Sequence, residues 1–349
     1  MNDTNNQILE LFQIGMTLSS SQVHEDLVSV SLVTIKRRLS ELTELGLLEQ
    51  TGAGRSVKYS LSKRGMLLKP INAGDYLSQD PDSRSNNTSF NFDIFEKPYI
   101  DLFTAKELSE LKKATSSYQS NAQNIDKTIQ AKELQRFMVE FSWKTSQIEG
   151  NTYDLISTER LLRYGEKSED NTEHEAQMII NQKKALEFIL SDLKAWSNPT
   201  IAQLEHLHAI VGKNLGISRN LRKGLIGITG TNYRPLDNEF RIREALDKLF
   251  RWINGTQSVY EKGLLCVLGI SYIQPFVDGN KRTSRLLSNA VLLSSGVAPL
   301  SYRSVGDREY KEATLIFYEQ NSVTPFKKLF IDQYTFSANN YNISRIYKN

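Results

Sequence analysis

The stretch Gln274-Pro275-Phe276-Val277-Asp278-Gly279-Asn280-Lys281-Arg282-Thr283-Ser284-Arg285 concentrates more chemistry than any other part of this 349-residue chain. It lies between two strongly apolar segments. Asp278 has the short acceptor side chain of a helix N-cap, and Gly279 permits close approach of backbone. The free N–H groups at the start of the following helix form an anion site. Arg282 and Arg285 are three residues apart, so both project from one helix face and can clamp phosphate oxygens in a bidentate manner. Asp278 can also hold a Mg²⁺ ion that bridges phosphates, because that ion takes one or two carboxylates and completes its shell with substrate oxygens. No Gly-x-x-x-x-Gly-Lys-Ser/Thr loop occurs, so this is a phosphate site of another kind.

The segment resembles the signature of Fic-domain proteins, His-Pro-Phe-x-Asp/Glu-Gly-Asn-x-Arg-x-x-Arg, and matches every fixed position except the first, where Gln274 stands for histidine. The resemblance in helix pattern extends over roughly residues 98 to 340. It implies an all-helical domain that binds ATP and Mg²⁺ and transfers AMP to a Ser, Thr or Tyr hydroxyl of a protein target. Asp278 would then bind Mg²⁺, Gly279 and Asn280 the α-phosphate region, and Arg282 with Arg285 the outer phosphates. Leu225 to Arg234, with Ile226 and Ile228 alternating among Gly227, Thr229, Gly230 and Thr231, reads as a small β-hairpin and resembles the family's flap that aligns the target segment. The family's chemistry asks the motif histidine to take the proton from the target hydroxyl. An amide at Gln274 has no usable basicity near neutral pH. General-base catalysis is typically worth about 10²–10⁴-fold, or roughly 3–5 kcal/mol, so AMP transfer is expected to be feeble.

Upstream, Leu134, Met138, Phe141, Thr145 and Ile148 line one face of a helix expected from about Thr128 to Ile148, and Glu149 continues that face. A carboxylate there needs a partner. Thr145-x-x-x-Glu149-Gly150 resembles the inhibitory motif Ser/Thr-x-x-x-Glu-Gly/Asn of Fic proteins, placed N-terminal to the core. The resemblance implies that Glu149 occupies Arg285 and so keeps that arginine from the γ-phosphate.

Three helices, at 5 to 15, 20 to 28 and from Ser31 onward, precede a turn at Gly52 and Gly54 and a strand through Val57, Tyr59 and Leu61. This pattern resembles the winged helix-turn-helix of bacterial regulators. With Ile35, Leu39 and Leu42 inward, Thr34 and Arg37 lie on the opposite face of the third helix and Lys36 to one side, while Arg55 and Lys58 sit on the wing. Eight Lys or Arg between Ser31 and Lys69 face three Glu, a local excess of five positive charges suited to DNA phosphates. The same module could instead serve protein contacts or dimerisation.

The expected fold is mainly α: residues 1–69 a winged helix-turn-helix domain, 70–97 a linker, and 98–349 an all-helical Fic domain including an inhibitory helix at about 128–150. A net charge of +3, 39% hydrophobic residues and 24% charged residues describe an ordinary soluble protein rather than a polycation or a disordered chain. The polar Met1 to Glu10 lacks the features of a signal peptide, no apolar run reaches membrane-span length, and the lone Cys266 reads as a core residue. A cytoplasmic location without membrane contact is expected. Three functions stay open: a nucleotide-sensing or transcriptional regulator with impaired AMP transfer, an autoinhibited protein adenylyltransferase with residual activity, and a DNA-binding protein in which the Fic fold serves as a scaffold for homodimers.

Overall fold

The structure, a computed structural model, describes residues 3–96, 101–121 and 125–343; the expected boundary at 97/98 lies outside the described residues. Backbone contacts divide the chain into two units. One comprises residues 1–102, 227–234 and 312–327, and the other 103–226, 235–311 and 328–349.

The first unit opens with α1 (Asp3–Leu11), α2 (Ser20–Asp26) and α3 (Leu32–Glu44), followed by an antiparallel ribbon of β1 (Leu48–Thr51) and β2 (Lys58–Leu61). Ser31 caps α3 by accepting from the Thr34 amide, and Ile35, Leu39 and Leu42 on its inward face are fully buried. Gly46 at φ +68° ends the helix: its N–H reaches the Thr43 carbonyl while that of Leu47 reaches Leu42, the Schellman arrangement that a left-handed residue makes available. Leu18 exchanges two backbone hydrogen bonds with Tyr59, at 2.9 and 2.8 Å, so the ribbon gains a third extended neighbour. Ile8, Leu9, Phe12, Leu18 and Val23 close the core against α3 and the ribbon.

After the ribbon comes α4 (Lys63–Leu68), and where the composition suggests a linker from residue 70 the chain folds further, into α5 (Ala73–Leu77) and two single 3₁₀ turns, Pro81–Ser83 and Phe92–Phe95. Their order comes from polar partners distant in sequence, among them Glu319 for Arg84, which local periodicity cannot announce. The expected hairpin at 225–234 does not form. Thr229 and Gly230 make a turn, but the flanking residues do not pair with each other, and Arg234 instead bridges Ser89 in parallel. The hydrogen-bonding capacity a hairpin would use internally goes to 84–89, as in the 3.0 Å bond from the Arg234 amide to the Thr88 carbonyl.

The second unit is helical: α6 (Ala105–Asn121), α7 (Lys127–Gln147), α8 (Leu155–Tyr164), α9 (Glu173–Ser191), α10 (Ile201–Val211), α11 (Glu239–Gly255), α12 (Val259–Ile273) and α13 (Asn280–Ser294). Thr200 and Ser258 cap α10 and α12 through the amides of Gln203 and Glu261. The last helices, α14 (Asp307–Gln320) and α15 (Thr324–Asn340), supply residues 312–327 to the first unit and the rest to the second. From Gly263 to Ile273 every residue of α12 is buried, and α13 is almost as dry. Such helices hydrophobic on all sides belong at the centre of a bundle, and here α12 packs along α13, with α7, α9 and α10 also against α13. Each fully buried Leu, Ile or Val contributes roughly 1.5–3 kcal/mol, which makes this pair a rigid mount for the loop 274–279 between them. Among the described residues no helix is long and apolar enough to cross a membrane.

Candidate functional site

α12 ends in Gln274, a non-glycine residue in the left-handed region at φ 51°, ψ 59°. That conformation costs energy for a residue with a Cβ and is held by a neighbour. Arg222, 3% exposed, donates Nε to the Gln274 carbonyl at 2.6 Å, Nη2 to Ile273 at 3.3 Å and Nη1 to Gly224 at 2.6 Å. A cation on the last carbonyls of a helix satisfies both their hydrogen bonding and the negative end of the dipole. The Gln274 side chain is also engaged: Nε2 donates to the Ser271 carbonyl at 2.7 Å, and Oε1 accepts from Asn280 Nδ2 at 2.9 Å. Asn280, expected at the α-phosphate, uses its amide to close the loop on both the N–H and the carbonyl of Phe276 at 2.8 Å.

The N-cap of α13 is Gly279, not Asp278 as the sequence suggested. Gly279 stands at φ +77°, and a Cβ there would meet Val211 Cγ1 at 3.4 Å and His208 Nε2 at 3.5 Å. Those are ordinary contact distances, so it is the left-handed backbone that favours glycine at that corner. Asp278 is displaced by one position: Oδ1 accepts from the Gly279 amide at 2.6 Å, and Oδ2 takes Arg282 Nη2 at 3.2 Å, leaving the carboxylate 67% exposed.

His208 is not among the residues that the sequence singles out. It is fully buried on α10, stacks on the Phe276 ring at 3.6 Å with 3° between planes, and its Nε2 lies 2.9 Å from the Asp278 carbonyl oxygen. Burial pushes its pKa down to about 4, so the imidazole is neutral at physiological pH and Nε2–H donates to that carbonyl. No local signal marks a histidine whose partners, Phe276 and Asp278, lie so far along the chain; only the tertiary fold reveals it.

Residues 198–292 match the Fic/DOC family, a stretch that contains His208, Gln274 and all of Asp278 to Arg285. The chain contains a Fic domain. Over 180 residues it is 28% identical to protein adenylyltransferase fic-1 of Caenorhabditis elegans, spanning 48% of this chain and 35% of the relative. A 27% identity over 164 residues relates it to protein adenylyltransferase Fic of Drosophila ananassae, covering 45% and 32%. The chain thus spans about a third of the length of these curated relatives. In fold it is similar to C. elegans Fic-1 (residues 134–508), with TM-score 0.59 and 21% identity over 68% of this chain and 72% of that one. It is likewise similar to a Fic-domain signalling protein from Bacteroides thetaiotaomicron, with TM-score 0.56 and 20% identity over 66% and 94%.

In the Fic domain both motif arginines keep a buried Nη1 without a hydrogen-bond partner among the described residues, and they differ in what holds the rest of the guanidinium. Arg282 is 2% exposed. Arg285 is fully buried. Its Nε donates to Thr145 Oγ1 at 2.6 Å, and its Nη2 donates to the Thr145 carbonyl at 2.9 Å and to Glu149 Oε1 at 2.8 Å. The rings of Tyr310 and Tyr302 flank the guanidinium at 5.1 and 6.0 Å. Glu149 sits in the turn beyond the end of α7, just before the exposed Gly150 at φ +94°. Burial alone would raise the Glu149 pKa, but Arg285, with Lys281 and Arg282 behind it, more than compensates and holds the carboxyl below its ordinary range. Lys144 pairs with Asp307 at 2.8 Å and so ties α7 to the start of α14.

On α3 the outward stripe is Val33, Lys36, Arg37 and Ser40, all exposed. Thr34 is half-buried with its hydroxyl 3.0 Å from that of Ser31, so this face is rotated toward Lys36 relative to the sequence reading. Arg55 and Lys58 are exposed on the ribbon. Lys36 and Arg55 line a common cleft of about 540 Å³ with Ser19, Gln50 and Tyr59.

Proposed function

We propose that this chain is an adenine-nucleotide-binding Fic protein joined to a DNA-binding module, a regulator whose AMP transfer is weak. The observation that carries this reading is the buried, unpartnered Nη1 of Arg282 beside a glycine corner at the start of α13. A desolvated guanidinium donor with no acceptor is unfavourable until an anion meets it, and the N–H groups at that helix start add to the attraction. The donor set fits a nucleotide with its metal: Arg282 and the α13 N-terminus take phosphate oxygens, and the exposed Asp278 carboxylate would hold Mg²⁺. That ion would neutralise charge on the phosphates. Gln274 offers the target hydroxyl a hydrogen bond but takes no proton from it. The Thr145 and Glu149 contacts occupy Arg285 and act as the brake on the outer phosphates. Titration calorimetry with ATP and Mg²⁺ tests the reading: saturable binding that Arg282→Ala removes supports it, and the absence of heat with parent and Glu149→Gly alike rejects it.

The three helices, their ribbon and the exposed cluster Lys36, Arg37, Arg55 and Lys58 support a winged helix-turn-helix that contacts DNA phosphates, with α3 toward the major groove. DNA retardation by the full chain, weakening as salt rises, is the outcome expected. A second reading, protein adenylyltransferase acting on a protein hydroxyl, is favoured by the activity named for the fly and nematode relatives. Incorporation of labelled AMP into protein by the unaltered chain would select it.

A further inference from the structure

We propose that Arg84 is a positioning residue for the flap: anchored on Glu319, its buried guanidinium holds the Gly230 carbonyl and so sets the course of residues 227–234. The inference rests on the reading of 227–234 as the flap that aligns a target segment.

Arg84 and Glu319 have side chains 2% and 0% exposed and meet at 3.1 Å through Nη1 and Oε1. The second prong of the guanidinium, Nη2, donates to the Gly230 carbonyl at 2.7 Å. Tyr76 completes the cage, its hydroxyl donating to Glu319 Oε2 at 2.8 Å while accepting from Gln320 Nε2 at 3.0 Å. Replacing such a buried pair by apolar residues of similar volume is often neutral or stabilising, because desolvation offsets the attraction; fixing register is one better-attested use of such groups. The register here is that of 227–234, which lacks strand pairing of its own. The neighbouring bonds point the same way: Asn86 Nδ2 to Asn232 Oδ1 at 2.7 Å, Asn232 Nδ2 to the Pro81 carbonyl at 3.3 Å, and the Arg234 amide to Thr88 at 3.0 Å.

The anchor itself is tied to the N-terminal helices. Just past Glu319, Ser322 Oγ donates to the Lys69 carbonyl at 2.6 Å and the Val323 amide to Leu67 at 2.9 Å. Lys69 in turn sends its Nζ to the Phe12 carbonyl at 2.7 Å. The turn at 319–323 therefore registers 227–234 to the module carrying α1 to α3. Arginine is required because its planar fork serves a carboxylate and a carbonyl at once, whereas a lysine ammonium is a single compact charge.

Hydrogen exchange of the full chain, read by mass spectrometry, tests this with Arg84→Lys, which keeps the charge for Glu319, and Arg84→Met, which keeps the volume. Amides at 228–233 are expected to exchange at least tenfold faster in Arg84→Lys, while peptides of 274–285 keep parental rates. Unchanged exchange at 228–233 in a folded Arg84→Lys overturns the proposal, and it does so even if Arg84→Met fails to fold. In a chain also carrying Gln274→His and Glu149→Gly, adding Arg84→Lys is expected to lower AMP incorporation into protein at least tenfold with the KM for ATP unchanged. Faster exchange at 228–233 with undiminished incorporation would also overturn it, the failure then lying in the flap reading rather than in the contact.

Discussion

Arg282 and Arg285 on α13 and Arg37 and Arg55 on the N-terminal module carry the same side chain under opposite conditions. The first two are 2% and 0% exposed, with their N–H groups aimed at Asp278, Thr145 and Glu149. The other two are exposed, and the described residues offer them no ion pair. A desolvated guanidinium interacts strongly with whatever meets it and discriminates by geometry. A solvated one interacts through a screened field, adds to its neighbours and discriminates little. Burial thus separates guanidinium groups that discriminate by geometry from groups that act through a screened field.

Removing a single arginine from each side should expose the contrast most sharply. Arg285→Ala leaves the Glu149 carboxylate and the Thr145 hydroxyl facing a void and is expected to cost about 3–5 kcal/mol of stability. Arg37→Ala should stay within about 0.5 kcal/mol. Urea unfolding of both variants measures the difference, and equal midpoints would contradict the contrast.

Acid should find the buried site before the exposed one. The unfolded chain protonates His208 near its ordinary pKa of about 6.5, whereas burial holds the folded pKa at about 4. The unfolded state therefore binds more protons between those values, and stability, constant above pH 6.5, falls as pH drops toward 4, by on the order of 3 kcal/mol. Below the ordinary carboxyl range the depressed Glu149 pKa adds to the loss, since its stabilising ionised form disappears as pH falls through the folded value. His208→Gln is expected to flatten the slope from pH 6.5 to 4; thermal unfolding across that range decides, and an unchanged slope would remove His208 from the account.

Freeing Arg285 is a subtler test, because Glu149 supplies one of its three hydrogen bonds and Thr145 the other two. Glu149→Gly should raise ATP affinity by about tenfold, or roughly 1.4 kcal/mol, and Thr145→Ala added to it should raise affinity further. Calorimetry giving equal affinities for parent and Glu149→Gly would dispose of the brake. On the exposed side, each of Lys36, Arg37, Arg55 and Lys58 changed to Ala should reduce the slope of log affinity for DNA against log salt by about 0.9 for every phosphate no longer neutralised. A slope unmoved by all four changes would detach this face from DNA.

Which features can be read from the residues depends on how far away their partners lie. Caps and helix stops such as Ser31, Gly46 and Thr200 are decided within one turn, so composition reveals them. The 274–285 loop is legible for the same reason: Phe276 and Asn280 close it on each other. The one-position error at Asp278 arose because its carboxylate has two takers nearby, the Gly279 amide and Arg282, and neither requires the N-cap position. His208, Arg222 and the Arg84 cage act through carbonyls and a carboxylate far along the chain, and their local sequence is unremarkable. The expected hairpin failed because alternation at Ile226 and Ile228 does not name a partner strand, and the backbone pairing that does form is that of Arg234 with 88–89.

If AMP transfer is held back by a missing base and a gripped arginine in an otherwise intact site, restoring both should release it. Parent, Gln274→His and the double variant Gln274→His with Glu149→Gly are incubated with ATP and Mg²⁺, and the adenylyl mass added to protein is measured. A histidine with a pKa near neutrality supplies the base, and the glycine releases Glu149's hold on Arg285. The expected result is clear self-modification in the double variant and near silence in the parent and in Gln274→His alone. A double variant that binds ATP yet adds no AMP would contradict the account.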